Sequence, residues 1–284
     1  MKPLLEAFFF LHLSDLDMKS YAQLVQRILD EGEPRQDRTG VGAISVFGAN
    51  LSFDLRERFP LVTMKETRWK TAFLEMLWFL RGECHVKYLH QNNCKLWDPW
   101  ASETGYLGPI YGYQWRSWET DSGKYIDQIK ELIKGLTTNP HGRRHLVSAW
   151  NVADVPDMAL PPCHWAHQCY VSNDGYLDLK LFMRSSDVAL GLPFNIAQYA
   201  LLIHLYARAS NLKPRHLIVD LGDAHLYTNQ IEPMRKVLAQ GIVKDDNAQL
   251  VFNTDNLDID AYTPVDFIVE NYHPRAFVPM TVAV

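Results

Sequence analysis

The sequence predicts a mixed fold in which strands and helices share one core, and three observations carry that prediction. Residues 176–182 alternate strictly between apolar and polar side chains, and 43–55 and 216–220 read as further strands. Two helical stretches, 71–81 and 196–209, are apolar on nearly every face, which places them inside the core rather than on its surface. The chain of 284 residues is 47% apolar and 12% aromatic, and no run of Pro, Gly and Ser divides it, so there is material for a large core. Periodicity alone leaves the layout of sheet and helices open.

In chain order, residues 19–31 set Tyr21, Leu24, Val25, Ile28 and Leu29 at helical spacing and stop at Gly32. Asp37-Arg38-Thr39-Gly40 reads as a turn, and 43–55 as one arm of a hairpin. Within 71–81 Glu75 is a lone carboxylate among Phe73, Leu74, Met76, Leu77 and Trp78. Burial without a cationic partner raises a carboxyl pKa and suits it to proton transfer; hydrogen bonds would make it a structural group instead. Trp97 and Trp100 flank Asp98-Pro99, as core residues or as a wall beside a planar ligand. Tyr111 lies in a passage, 107–115, that enters either a strand or a helix. Residues 125–136 repeat apolar side chains like an amphipathic helix ending near Gly135, and Arg143-Arg144 follow in a short turn.

Ala159-Leu-Pro-Pro-Cys163-His164 sets one thiol in a rigid frame, because two prolines fix φ and remove two backbone donors. A buried, inert cysteine accounts for Cys163 taken alone. Three polar clusters offer it the cationic and hydrogen-bonding neighbours that favour a thiolate: Arg184–Asp187, Gly191–Asn195 and Gly222–Tyr227. Asn195 opens the apolar helix and has helix capping as its ordinary explanation; His225 and Tyr227 have ordinary buried pairing.

A formal charge of −5, from 28 basic and 33 acidic residues, argues against a general nucleic-acid binder and leaves room for a local anion site. Four cysteines, Cys84, Cys94, Cys163 and Cys169, make neither a disulfide scaffold nor a metal-ligand spacing, so the expectation is a reduced, cytoplasmic protein with no metal. The apolar run 4–13 is broken by Glu6 and His12 and is too short to span a bilayer, so no membrane role is expected.

The motifs Asp37–Gly40, Phe59–Thr63, Leu77–Gly82, Leu96–Asp98, Leu107–Gly112, Arg143-Arg144, Val147–Asn151, Leu160–His164, Leu190–Ala197 and Val282–Val284 occur together and in order. In this the chain resembles the thymidylate synthase family, from about Met18 to its end. The resemblance implies one catalytic domain over 18–284, preceded by an extension, 1–17, of unknown role. It implies an α+β fold with a large twisted mixed sheet flanked by helices, the sheets of two subunits packed back to back in a homodimer. The substrates implied are dUMP and the co-substrate 5,10-methylenetetrahydrofolate.

By the same resemblance Cys163 is the nucleophile, and Glu75, Tyr111, His164, Asn195 and Asp187 complete the catalytic set. Arg38, Gln168, Arg184, Ser185, Asn195, His225 and Tyr227 would bind the nucleotide, joined by Arg143 and Arg144 reaching across from the partner. Lys65, Leu96, Trp97, Trp100, Asp187, Leu190, Gly191, Phe194 and Ala283 would hold the folate, with the tail as a lid. A carboxamide at Asn195 both donates and accepts, which matches the O4 and N3–H edge of uracil.

Four features depart from the family pattern: Pro99, the segment Ala166–Cys169 with His167, Met183 and Gln198. A methionine before Arg-Ser also resembles phage deoxycytidylate hydroxymethylases, which carry aspartate where this chain has Asn195. A dUMP hydroxymethylase is therefore the alternative to a synthase, with the host cytoplasm as its location if phage-encoded. A catalytically silent nucleotide-binding homologue is a third reading. A cysteine protease built on Cys163-His164 is disfavoured, because adjacent residues of an extended segment point to opposite faces.

Overall fold

The computed structural model describes residues 13–37, 39–243 and 247–283, with side chains from residue 18 onward. Helix α1 (Leu13–Glu31) leads into strands β1 (Glu33–Arg35) and β2 (Ala43–Asp54). The apolar helix α2 (Trp69–Leu80), short helices α3 (Lys87–Gln91) and α4 (Tyr111–Arg116), and a ribbon of β3 (Trp118–Glu119) and β4 (Tyr125–Ile126) follow. Next come α5 (Gln128–Thr138), β5 (Leu146–Ser148), β6 (His164–Val171), β7 (Tyr176–Asp187), α6 (Gly191–Ala209) and β8 (Lys213–Tyr227). The chain closes with α7 (Ile231–Gln240), β9 (Gln249–Phe252) and β10 (Phe267–Glu270).

Six strands form one mixed sheet in the order β1-β2-β8-β7-β6-β5. Every pair in it is antiparallel except β7 and β8, which run parallel. Parallel neighbours need a long crossover, and α6 is that crossover. Alternation along β7 and β8 sends Leu177, Leu179, Leu181, Leu217 and Val219 inward, all fully buried. Helix α6 covers that face and packs against α2, which explains why both helices are apolar all round. The other face leaves Trp165, Tyr170 and Phe47 exposed.

The strands predicted at 43–55 and 176–182 are present, the second running on to Asp187, so that Arg184 and Ser185 stand within it. The strand predicted at 216–220 is only the middle of the 15-residue β8. Helix α1 begins at Leu13, inside the segment set aside as an extension. The helix predicted at 125–136 starts later, at Gln128, because Tyr125 and Ile126 pair with Glu119 and Trp118. The Asp127 carboxylate accepts from the Lys130 N–H at 3.0 Å and caps the helix start. That helix also continues past Gly135, where a Cβ would meet His145 Nδ1 at 3.0 Å, so the glycine admits a neighbour rather than ending the helix.

Candidate active site

Cys163 is half-buried immediately before β6, and its backbone is held from both sides. Its N–H donates to the Tyr111 phenol oxygen at 2.8 Å, and its carbonyl accepts from the Arg184 N–H at 2.9 Å. The Arg184 guanidinium folds back on the same segment, donating from Nε to the Pro162 carbonyl at 2.9 Å and from Nη2 to the Pro161 carbonyl at 2.8 Å. It also lies over the Trp150 ring, 5.5 Å from its centre. Two prolines that cannot donate thus present acceptors to a cation, and the cysteine leaves this clasp at a fixed angle.

Behind the clasp, the rings of Tyr111 and His164 stack at 4.1 Å with 25° between their planes. His164 Nδ1 pairs with the Tyr199 hydroxyl at 2.9 Å. Burial depresses His164 to about 3, so its imidazole is neutral at physiological pH. Burial, with a contribution from Cys163, pushes the Tyr111 phenol well above its ordinary range. Tyr111 therefore stays protonated and acts as an O–H donor while accepting the Cys163 amide.

Glu75 stands on the inner face of α2 with each oxygen taken. Trp97 Nε1 donates to Oε1 at 2.5 Å, and Gln198 Nε2 donates to Oε2 at 2.5 Å. Burial raises its carboxyl to about 7 against the opposing pull of those two bonds. A group that titrates near neutrality can both take and give a proton. Gln198 Oε1 then accepts from Asn195 Nδ2 at 3.1 Å, which makes a continuous chain Glu75-Gln198-Asn195. The helix begins at Gly191, so Asn195 sits in its second turn and caps nothing. The turn that leads into it is held by Asp187, whose Oδ1 accepts from the N–H groups of Ala189 and Leu190 at 2.9 and 3.0 Å.

Asp187 Oδ2 accepts from Gln230 Nε2 at 3.0 Å, a partner not foreseen from the sequence. Lys65 is buried near Asp187; desolvation lowers its ammonium to about 8 and the carboxylate pulls the other way. In the parallel ladder Ser185 lies beside Asp223 and Asp187 beside His225. His225 Nδ1 pairs with Asp223 at 2.9 Å, and its ring packs against Tyr227 at 5.0 Å. The strands thus bring Ser185, Asp187 and His225 close together.

Trp97 is buried between Trp78 and Trp100, with ring centres at 5.4 and 5.6 Å, and lies 6.0 Å from Tyr111. Leu96 and Phe194 line a cleft with Leu74, and the exposed Arg68, Lys70 and Lys95 stand around it. Those three cations went unmarked in the sequence, because folding alone brings Lys95 to the start of α2. Leu190 is partly buried against the core, and Gly191 lies beside Asn195, where a Cβ would come within 3.9 Å of Oδ1. Ala283 near the chain end is buried rather than frayed.

Gln168, Arg143 and Arg144 stand apart from these groups within the subunit. Gln168 leaves β6 on the face of Tyr170, opposite the buried His167 and Cys169, and does not join the Glu75–Asn195 chain. Arg143 and Arg144 are exposed on the subunit's surface. Arg38 lies outside the described residues. Of the departures, His167 pairs with the Tyr206 hydroxyl at 2.9 Å deep in the core, and Met183 is buried beside His164 in the ladder.

Comparison with known proteins finds relatives over nearly the whole chain. The family profile described as Thymidylate synthase matches residues 19–284. Proteins named Thymidylate synthase from three strains of Coxiella burnetii are each 46% identical over 269 residues, covering 94% of this chain and 100% of theirs. With that match running through the clasp, the carboxylate and the parallel strands alike, the chain belongs to the thymidylate synthase family.

Proposed function

We propose that this chain transfers a one-carbon unit from 5,10-methylenetetrahydrofolate to C5 of dUMP, as a synthase that yields dTMP and dihydrofolate. The observation that carries the reading is the double hold on Cys163, by Tyr111 on one side and Arg184 on the other, in a chain of this family. The Cys163 thiolate adds to C6 of the uracil, and the displaced electron pair passes through C5 to O4. Asn195 reads the O4 and N3–H edge, and Glu75, linked to it through Gln198, moves the proton that balances charge on O4. The Tyr111 O–H supports proton removal from C5. Arg184 and Ser185, with Arg38 and the partner's Arg143 and Arg144, would hold the phosphate, and His225 and Tyr227 the ribose.

The residues present fit a folate. Trp100 Nε1 is buried with no hydrogen-bond partner among the described residues, a donor left for a ligand. Leu96, Trp97, Leu190 and Phe194 offer apolar surface, and Asp187 an acceptor for ring nitrogens. Lys65, Arg68, Lys70 and Lys95 supply positive charge for a carboxylate tail. When bound, the folate supplies the one-carbon unit and the hydride. Ala283 and the tail would cover it and exclude water.

Two subunits would pack through the open face of the sheet, where Phe47 is 81% and Tyr170 62% exposed. Among the described residues no helix is long and apolar enough to cross a membrane. We place the enzyme in the cytoplasm because its four cysteines form no disulfide. Incubation with dUMP and methylenetetrahydrofolate, followed by mass measurement of the nucleotide, tests the proposal. dTMP with stoichiometric dihydrofolate is expected. Hydroxymethyl-dUMP without dihydrofolate, or tight dUMP binding with no product, overturns it.

A further inference from the structure

The chain Glu75-Gln198-Asn195 joins an ionisable carboxylate to a carboxamide through a second carboxamide, and each link fixes the orientation of the next. Glu75 is ionised above its value of about 7, and an ionised carboxylate only accepts hydrogen bonds. Trp97 Nε1, which only donates, occupies Oε1 of Glu75. The amide of Gln198 must therefore present Nε2 to Oε2, which turns its oxygen toward Asn195. Asn195 must in turn present Nδ2 to that oxygen.

Gln198 is fully buried, so no solvent is at hand to absorb a mismatch if one amide turns alone. Either both amides hold this orientation or both reverse together. Oδ1 of Asn195 lies on the side of Gly191, where even a Cβ would stand 3.9 Å away. The carboxamide then offers Oδ1 and the second hydrogen of Nδ2 to a ligand. That pair complements a ring edge with one N–H donor and one carbonyl acceptor, as in uracil. Cytosine presents the reverse, an acceptor at N3 and a donor at N4.

We propose that Gln198 is a specificity-determining positioning residue, which passes the acceptor-only character of Glu75 to Asn195 and so fixes which pyrimidine edge that carboxamide reads. The inference rests on the reading above in one respect, that Asn195 faces the nucleotide base. It predicts that replacing the acceptor by a donor at position 75 reverses both amides. In Glu75→Gln the new Oε1 must still accept from Trp97, so its Nε2 faces position 198. Gln198 then turns its oxygen to it and its nitrogen to Asn195, which now presents Nδ2 to the ring.

Calorimetric titration of the full-length protein with dUMP and with dCMP at about pH 8.5, where Glu75 is ionised, tests this without requiring turnover. Wild type is expected to bind dUMP in preference to dCMP, and Glu75→Gln to move the affinity ratio toward dCMP by at least about 100-fold. With Gln198→Met added, the effect of Glu75→Gln on the ratio is expected to vanish. A wild-type chain that binds neither nucleotide overturns the reading of the site and this proposal with it. A wild-type chain that binds dUMP, while Glu75→Gln leaves the ratio within about twofold or the shift survives Gln198→Met, overturns the relay alone.

Should Glu75→Gln fail to fold by its melting curve, Gln198→Met alone decides. The relay requires weaker dUMP binding with dCMP binding unchanged, and an equal loss of both refutes it.

Discussion

The backbone N–H of Cys163 and the phenol oxygen of Tyr111 meet at 2.8 Å across 52 residues of sequence. This bond ties the proline-stiffened segment to α4, so the sulfur's direction depends on a residue in another element. Tyr111→Phe keeps the ring stack on His164 and removes the acceptor. We expect a stability loss of about 1–3 kcal/mol, from an amide left without its partner. The kcat should fall more than tenfold with a smaller change in KM for dUMP. Thermal melts and steady-state kinetics check both, and an unchanged kcat would show that the phenol does not aim the nucleophile.

Cys163→Ser replaces the thiol by a far weaker nucleophile in the same clasp. Turnover is expected to drop by a factor on the order of 10^3 or more, with dUMP binding retained. Intact-mass measurement after trapping with a 5-fluorinated dUMP should show an adduct on wild type only. Undiminished turnover in the serine variant would refute the covalent route.

Arg184 has two duties, clasping the Pro161 and Pro162 carbonyls and offering charge to a ligand. A lysine keeps the charge but loses the fork. For Arg184→Lys we expect KM for dUMP to rise about 10–100-fold, from loss of charge-assisted bonds. The expected kcat loss is larger than for a substitution at Ser185, because the cysteine segment loosens as well. Equal KM for wild type and Arg184→Lys would exclude the arginine from the phosphate site.

Burial holds His164 and His167 near 3 and His204 near 4, so all three are neutral in the fold. Their folded values lie below the ordinary 6.5, and the unfolded chain binds more protons between the two. This stability is complete above about pH 6.5 and lost as pH falls through the window. Glu75 works in the opposite sense. Its folded value of about 7 lies above the ordinary 4.5, so its contribution is full below that and lost as pH rises toward 7. Denaturant midpoints at pH 5 should lie below those at pH 7, and His204→Leu should make the acid arm shallower by up to about one proton. An unaltered slope would show that His204 does not titrate on unfolding.

Much of this protein was legible in its sequence because the signals were local. The alternation of 176–182 and the all-round apolarity of 71–81 and 196–209 marked a strand and two buried helices, and the structure contains them. The frame Leu160–His164 drew attention to Cys163, and chemistry or family resemblance pointed to Arg184, which holds that segment, and to Glu75 and Asn195, which Gln198 joins. Where prediction failed, a neighbouring turn or strand pairing outside the apolar pattern had overruled it. Tyr125 and Ile126 look helical until strand β3 pairs with them, and Asn195 looks like a cap although the helix has already begun at Gly191.

The sequence by itself determined which segments must be buried and which thiol stands in a rigid frame, since hydrophobic periodicity and proline act over a few residues. The tertiary structure alone decided that Gln198 bridges Glu75 to Asn195, and that Arg184 grips the two prolines ahead of the cysteine. Apart from the bond between Asn195 and Gln198, these hydrogen bonds join residues 22 to 123 positions apart and leave no trace in spacing. They exist once a sheet and two crossing helices have set the partners within 3 Å of each other.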